Sequence, residues 1–259
     1  MYGKSEDSRD YQDLSCPVAV MAVDYANGSY EPPHRHRRAQ VVYSSSGVMT
    51  VGTEQGLWVV PTHRGLWMPA GVEHWIRMVG RVRMRTAYIA PEAVGGLPGS
   101  PSIVEVSPLF RELLLRAASL PAQYLAESHE ARVAALILDE IKAMPMIALH
   151  LPTPSDRRAA KVCEAIRADP SQDLTLEQWG RRVGASGRTL ARLFVRDTGM
   201  TFAVWRQQAR LLSALERLGR GESVLQVALS AGYDSPSAFS AMFRRSLGIT
   251  PSAYFRSKG

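Results

Sequence analysis

The sequence predicts a two-domain α+β protein. A small antiparallel β-barrel followed by helices should precede an all-α domain, in which two helix–turn–helix units are joined by a long helix. Three observations carry this expectation. Short β-rich runs fill residues 17–106 and give way to helical periodicity after residue 107. An internal repeat occupies residues 170–256. The charge is also divided: residues 155–259 hold 17 Lys and Arg against 9 Asp and Glu, whereas residues 1–154 hold 14 against 15.

A chain of 259 residues accommodates two ordinary domains, and 46% hydrophobic residues is the fraction of a folded globular protein. The net charge of +7 therefore resides in the C-terminal part. A basic part beside a neutral one suggests a nucleic-acid module joined to a module with another task. The opening "MYGKSEDSRDYQDLSC" lacks the apolar core of a secretory signal, and no run of about 18 apolar residues appears. The expected setting is the cytoplasm, with no membrane partner. Cys16 and Cys163 fall in different halves and read as reduced thiols, neither a disulfide framework nor a metal site.

The barrel, residues 1–106, rests on runs such as "VVY", "VMTV", "LWVV" and "HWIRMV", punctuated by Gly, Pro, Ser and Asn. Residues 81–88 alternate: Val82, Met84, Thr86 and Tyr88 face one way, and Arg81, Arg83 and Arg85 the other. That is a half-buried strand with a solvated side. A helical segment follows over residues 107–144. "SPLFRELLLRAASL" begins with a Ser cap and Pro at the first helical position. A second helix over residues 128–143 carries Val133, Leu136, Ile137 and Ile141 along one face. These stripes pack either on the barrel or on a second copy of the chain. Residues 145–156, with Pro145, Pro152 and Pro154, read as a linker, and residues 157–259 form the basic domain.

The repeat sets "TLEQWGRRVGASGRTLARLFVRDTGMT" over "SVLQVALSAGYDSPSAFSAMFRRSLGIT". Thr175 and Ser223 each stand three residues before a glutamine, Gln178 and Gln226, the spacing of a capping box. Gly184 and Gly232 suit the turn. Ser186 and Ser235 cap the next helix, with Pro236 in its first position. Each copy is thus helix, short turn, helix. The stretch "TFAVWRQQARLLSALERL" between them predicts a long helix with Phe202, Trp205, Leu212, Leu215 and Leu218 in its core face. Two such second helices entering one face of double-stranded DNA must lie about 34 Å apart.

In the first unit Leu190, Leu193 and Phe194 should be buried, leaving Arg188, Thr189, Ala191 and Arg192 toward the groove. Arginine pairs with two acceptors of guanine, so Arg188 and Arg192 lead the base-contact candidates. In the second unit Phe239, Met242 and Phe243 should be core, with Ser237, Ser240, Ala241 and Arg244 outward. That face reads bases less directly and leans on phosphates and DNA shape. Arg196, Arg206, Arg245 and Arg256 are phosphate candidates. The whole arrangement, ending in "TPSAYFR" at residues 250–256, resembles the DNA-binding domain of AraC/XylS-type transcription regulators.

A regulator needs an input, and "PPHRHRRAQ" supplies a candidate. His34 and His36 are two apart on an apparent strand and point to one face, with Gln40 following. His74 comes after the turn residues Pro69 and Gly71. The spacing Gly28, His34, His36, Gln40, Gly47, then Pro69, Gly71, His74, resembles the two motifs of the cupin barrel. That resemblance implies a divalent transition metal ion held by three histidines and a glutamate. Here Gln40 stands at the glutamate position, and His63 and Met78 stand where the pattern usually has Gly and Asn. Three imidazoles and an amide still form a set for Zn, Ni, Cu or Fe, or a polar site for an organic anion or amide. Both readings stay open, with a vestigial site as the third. Tyr43, Trp58, Trp67, Trp75 and Tyr88 are candidates to line an effector pocket. His63 reads as a surface residue.

The run "HRHRRAQVVYSSSGVMTV" with "GLWMPAGVEHWIRMVGRVRMRT" further resembles the barrels of AraC-type regulators of export or detoxification genes, some of them repressors. The leading expectation is a sequence-specific transcription regulator whose barrel senses a small molecule or metal. RNA polymerase and a second copy of the chain are further candidate partners. A metal-dependent cupin enzyme with a helical appendage is the alternative, and it lacks the usual carboxylate. An architectural DNA binder is the third reading, told apart by equal affinity for all sequences.

Overall fold

The computed structural model of the chain describes residues 5–93, 95–147 and 150–254. It forms two compact units, Met1–Thr53 with Trp58–Leu149 and Glu54–Leu57 with His150–Gly259. The first unit contains strands β1 (Val18–Tyr25), β2 (Tyr30–His34), β3 (Ala39–Ser44), β4 (Val48–Thr53), β5 (Gly56–Val60) from Trp58 onward, β6 (Arg64–Met68), β7 (His74–Val79), β8 (Val82–Ile89) and β9 (Ser102–Glu105). Helices α1 (Pro108–Ala118) and α2 (His129–Ala143) and strand β10 (Met146–Ile147) complete it. One sheet has the order β1-β8-β3-β6-β9-β10; the other, β5-β4-β7-β2, gains β11 (Leu151–Pro152) at its edge. The ladders are antiparallel, as the short alternating runs predict.

Strand β8 lies between β1 and β3 and is covered on both faces. Its inner residues Val82, Met84, Thr86 and Tyr88 are buried, as the alternation predicts. The other face is solvated only at its start. Arg83 and Arg85 share Asp24 on β1, at 3.7 and 3.1 Å. Further along, Ala87 and Ile89 are buried beneath the helices, because Phe110, Leu114, Val133, Ile137 and Ile141 lie on that face of the sheet. The helical stripes therefore pack on the barrel. Leu136 does not share that face and is 48% exposed. Caps are where the sequence puts them: the Ser107 hydroxyl accepts from Phe110 N and that of Ser128 from Ala131 N.

Residues 145–156, read as a linker, hold two short strands. Met146 and Ile147 pair with Val104 and Ile103. Leu151 and Pro152 pair with Leu57 and Gly56, so residues 54–57 group with the second unit. Proline here does not prevent pairing, because β11 is an edge strand.

The second unit contains α3 (Arg157–Ala168), α4 (Leu176–Val183), α5 (Gly187–Thr198), α6 (Phe202–Gly219), α7 (Val224–Ser230), α8 (Pro236–Leu247) and α9 (Pro251–Tyr254). Both capping boxes form, Thr175 with Gln178 and Ser223 with Gln226. Gly184 closes α4 at φ 71°, a left-handed conformation that costs other residues more. Phe202, Trp205, Leu212, Leu215 and Leu218 of α6 are buried. Phe194 meets the Phe202 and Trp205 rings at 5.2 and 5.8 Å, and the Trp205 indole donates to the Pro152 carbonyl at 2.9 Å.

Candidate sensor cavity and nucleic-acid interface

The β2–β7 ladder sets His34 opposite His74. Pro32 and Pro33 sit where the register shifts between Glu31 and His34, which suits residues that cannot donate to a ladder. β2 ends at His34, so His36 lies just beyond the strand, yet all three rings converge. Ring centres are 4.8 Å apart for His34 and His36, 4.4 Å for His34 and His74, and 5.5 Å for His36 and His74. Their ligating nitrogens all lie within 4.8 Å of one another.

Hydrogen bonds fix the proton positions on two of these rings. His34 Nδ1 is 2.7 Å from the Pro32 carbonyl and His74 Nδ1 is 2.9 Å from the Val72 carbonyl. A carbonyl only accepts, so each Nδ1 carries a proton, and Nε2 is the ring nitrogen left to face another partner. Gln40, 2.8 Å away, donates its amide N–H to His74 Nε2. Burial pushes the His36 imidazole down to about 3, with His34 and His74 adding to the shift. Burial also lowers His74 to about 4, against the opposing effect of its bond to Val72. Three imidazoles this close form a donor set for a divalent transition metal ion, and the carbonyl partners are the outer-shell bonds that orient such ligands. Gln40 offers an oxygen to an ion only if its amide turns over.

A cavity of about 380 Å³ opens beside these groups. His34, His36, Gln40 and Tyr88 line it, so the structure brings these sequence candidates together. His74 is 2% exposed and lies behind, joined through Gln40. The other aromatic candidates are elsewhere. Gln40 faces the cavity, so by the two-residue period Tyr43 faces the opposite side of the sheet, against the helices. Trp67, opposite Val41 on β6, shares that side and donates to the Pro98 carbonyl at 2.8 Å. Trp75 packs across Gly52, beside Tyr30 and Arg77; a Cβ on Gly52 would come within 2.2 Å of its ring. Trp58 is buried but does not line the cavity. His63 is partly buried, and burial lowers it to about 4.

The lining that composition did not reveal is polar and acidic: Glu6, Asp7, Ser8, Tyr25, Glu31 and Thr86. Its first three residues come from the segment before β1, which Arg38 holds in place. The buried Arg38 guanidinium donates to the carbonyls of Gln12, Leu14 and Cys16. Tyr11 stacks on Tyr88 at 5.6 Å. The signal for Arg38 was present in the sequence, because a third arginine in "HRHRRAQ" lies two residues before Gln40 and shares its inward face.

In the second unit, the α4–α5 and α7–α8 pairs each expose one face of their second helix. Arg188 and Arg192 are exposed and Thr189 and Ala191 are partly so, while Leu190, Leu193 and Phe194 are buried. On α8, Ser237, Ala241 and Arg244 are exposed and Ser240 is partly so, over buried Phe239, Met242 and Phe243. Arg245 is exposed. Two phosphate candidates are already engaged: Arg196 pairs with Asp197 at 2.5 Å, and Arg206 with Asp173 at 3.0 Å and the Phe202 ring at 5.3 Å. Arg256 lies outside the described residues.

Comparison with known proteins agrees with both halves. The AraC-like ligand binding domain matches residues 15–178, and a helix-turn-helix domain matches residues 179–257. The chain is 37% identical over 223 residues to the HTH-type transcriptional regulator NimR of Escherichia coli, covering 86% of this chain and 81% of that one. It is 34% identical over 103 residues to RipA of Corynebacterium glutamicum, covering 40% and 31%. Among solved structures, ToxT from Vibrio cholerae aligns over 94% of this chain and 100% of its own, with a TM-score of 0.40 at 10% identity. With a ligand-binding barrel and two helix–turn–helix units in one chain, the protein belongs to the AraC family of DNA-binding transcription regulators.

Proposed function

We propose that the barrel cavity beside His34, His36 and His74 is the input site of this regulator, and that its occupant changes how the second unit binds DNA. The observation that carries this is the cluster of three imidazoles, two of which line a preformed cavity of about 380 Å³ with Gln40 while the third, His74, is joined through Gln40. Such control requires the occupant to favour one conformation over another, because tight binding alone shifts nothing. On the DNA side, Arg188, Thr189, Ala191 and Arg192 read one half of the operator. Ser237, Ser240, Ala241 and Arg244 read the other, with Arg245 on a phosphate. RNA polymerase and a second copy of the chain are further partners in this reading. It also takes export or detoxification genes as the targets, on the resemblance of the barrel runs.

A divalent transition metal ion is the simplest occupant of the histidine cluster. His34, His36 and His74 would hold it, and it would supply a Lewis-acidic anchor there. The enzyme reading has less support, because Gln40 replaces the carboxylate that such chemistry usually employs. The deciding measurement is metal content of protein purified without chelator or metal-affinity resin, beside a His34→Ala/His36→Ala variant, with operator affinity recorded for both. Near-stoichiometric metal that disappears in the variant assigns the cluster to an ion. If the double variant, still folded, binds its operator with the same affinity in the presence and absence of metal, as the native chain also does, the cluster is not a metal input.

A further inference from the structure

The cavity lining has a consistent charge. Glu6, Asp7 and Glu31 line it, and among the described residues no lysine or arginine does. Three of the arginines near it have other partners. Arg9 is paired with Asp7 at 2.5 Å, Arg38 donates to three backbone carbonyls, and Arg85 pairs with Asp24. Asp7 is thereby compensated, whereas Glu6 and Glu31 are not in any ion pair among the described residues. The carboxylates do not join the histidine cluster: among the described residues, the convergent ligand group is His34, His36 and His74 alone.

A second observation is independent of the charge. Thr86 lines the same cavity, is 1% exposed, and its Oγ1 has no hydrogen-bond partner. An orphaned buried hydroxyl costs free energy unless something meets it. Its position in the cavity wall makes a ligand the natural partner. Tyr25 and Tyr88 also line the wall.

Resting on the sensor reading above, we infer that the effector is a small organic cation bearing N–H donors, not an anion. Glu31 and Glu6 accept from the cationic group in the cavity that Tyr25 and Tyr88 also line. The Thr86 hydroxyl meets a further polar atom of the ligand. In the metal-free barrel an anion would instead be placed against the Glu6 and Glu31 carboxylates, with no basic side chain among the described lining residues to receive it.

The test uses full-length protein stripped with a chelator and two matched sets of probes: benzamidine, benzamide and benzoate, and pentylamine, pentanol and pentanoate. Calorimetry reads binding, and operator affinity is measured on the same samples. The cation of at least one set should bind, and its neutral and anionic analogues should bind at least about tenfold more weakly. Glu31→Gln keeps an acceptor for Tyr25 and should weaken the cation about ten- to hundredfold. Thr86→Val removes the orphan hydroxyl at constant shape, should leave the melting temperature unchanged or higher, and should weaken binding about two- to tenfold. Equal or tighter binding of the anions, no binding of either cation at millimolar concentration, or affinity unmoved by Glu31→Gln overturns the inference. Cation binding that depends on Glu31 but leaves operator affinity unaltered supports the ligand class and sinks the sensor reading. An anion or neutral probe that binds and shifts operator affinity does the reverse.

Discussion

Arg192 and Arg188 stand in solvent on α5, whereas Arg206 on α6 lies over the Phe202 ring and against Asp173. The same residue type therefore has different work in the two places. Arg192→Ala should cost about 1–3 kcal/mol of operator affinity, relax one base position and leave the melting temperature unchanged. Arg206→Ala should instead lower the melting temperature, by a loss of about 1 kcal/mol, because its stem and guanidinium are part of the packing. Binding selections on randomised operators together with thermal melts separate the two. A selected base preference unchanged by Arg192→Ala would remove that side chain from the readout. The sequence distinguished core from surface on α5 because the helical period does so. It could not show that Asp173 had already engaged Arg206, since that contact joins residues 33 positions apart.

The tight turn between α4 and α5 depends on Gly180. A Cβ there would stand 2.4 Å from the Ala185 carbonyl oxygen, a backbone atom that cannot swing away. Gly180→Ala should destabilise the second unit by about 1–3 kcal/mol and weaken DNA binding through misplacement of α5. Gly187→Ala is the control, because the nearest atom there is Glu177 Oε1, the end of a flexible side chain. Chemical denaturation of both variants checks this; equal losses would show that the close approach is not what matters. Local chemistry made the helical elements legible. Capping boxes, a Pro at the first position and Gly at the turn are interactions within a few residues, and α4, α5, α7 and α8 formed where those signals lay. The barrel wall was less legible. Trp67 and Tyr43 have the composition of a pocket but face the helices, because the sheet buries both of its faces and polarity no longer marks the inner one. Glu6, Asp7 and Ser8 reach the cavity from a segment with no periodic signal at all.

Over the whole molecule, protonation should act mainly on the first unit. His36, His63 and His74 are lowered from 6.5 to about 3, 4 and 4 by burial. The unfolded chain binds protons on these imidazoles near pH 6.5 and the folded barrel does not, so stability is full above that value and falls as pH drops toward 4. Urea unfolding with chelator present, followed by tryptophan fluorescence at about pH 7.5 and about pH 5, should show this loss, and His36→Gln should make it smaller. A midpoint that does not change over that range would mean the rings are not held neutral. The second unit has its own asymmetry. Its two helix–turn–helix halves share one layout, but the candidate base-contact face of α5 carries Arg188 and Arg192, whereas that of α8 carries Arg244 with Ser237, Ser240 and Ala241. Information in the operator should accordingly be concentrated on one side. Promoters controlled by this protein can then drift in one half-site while the other stays fixed. A genome search that weights the two halves equally would discard true targets.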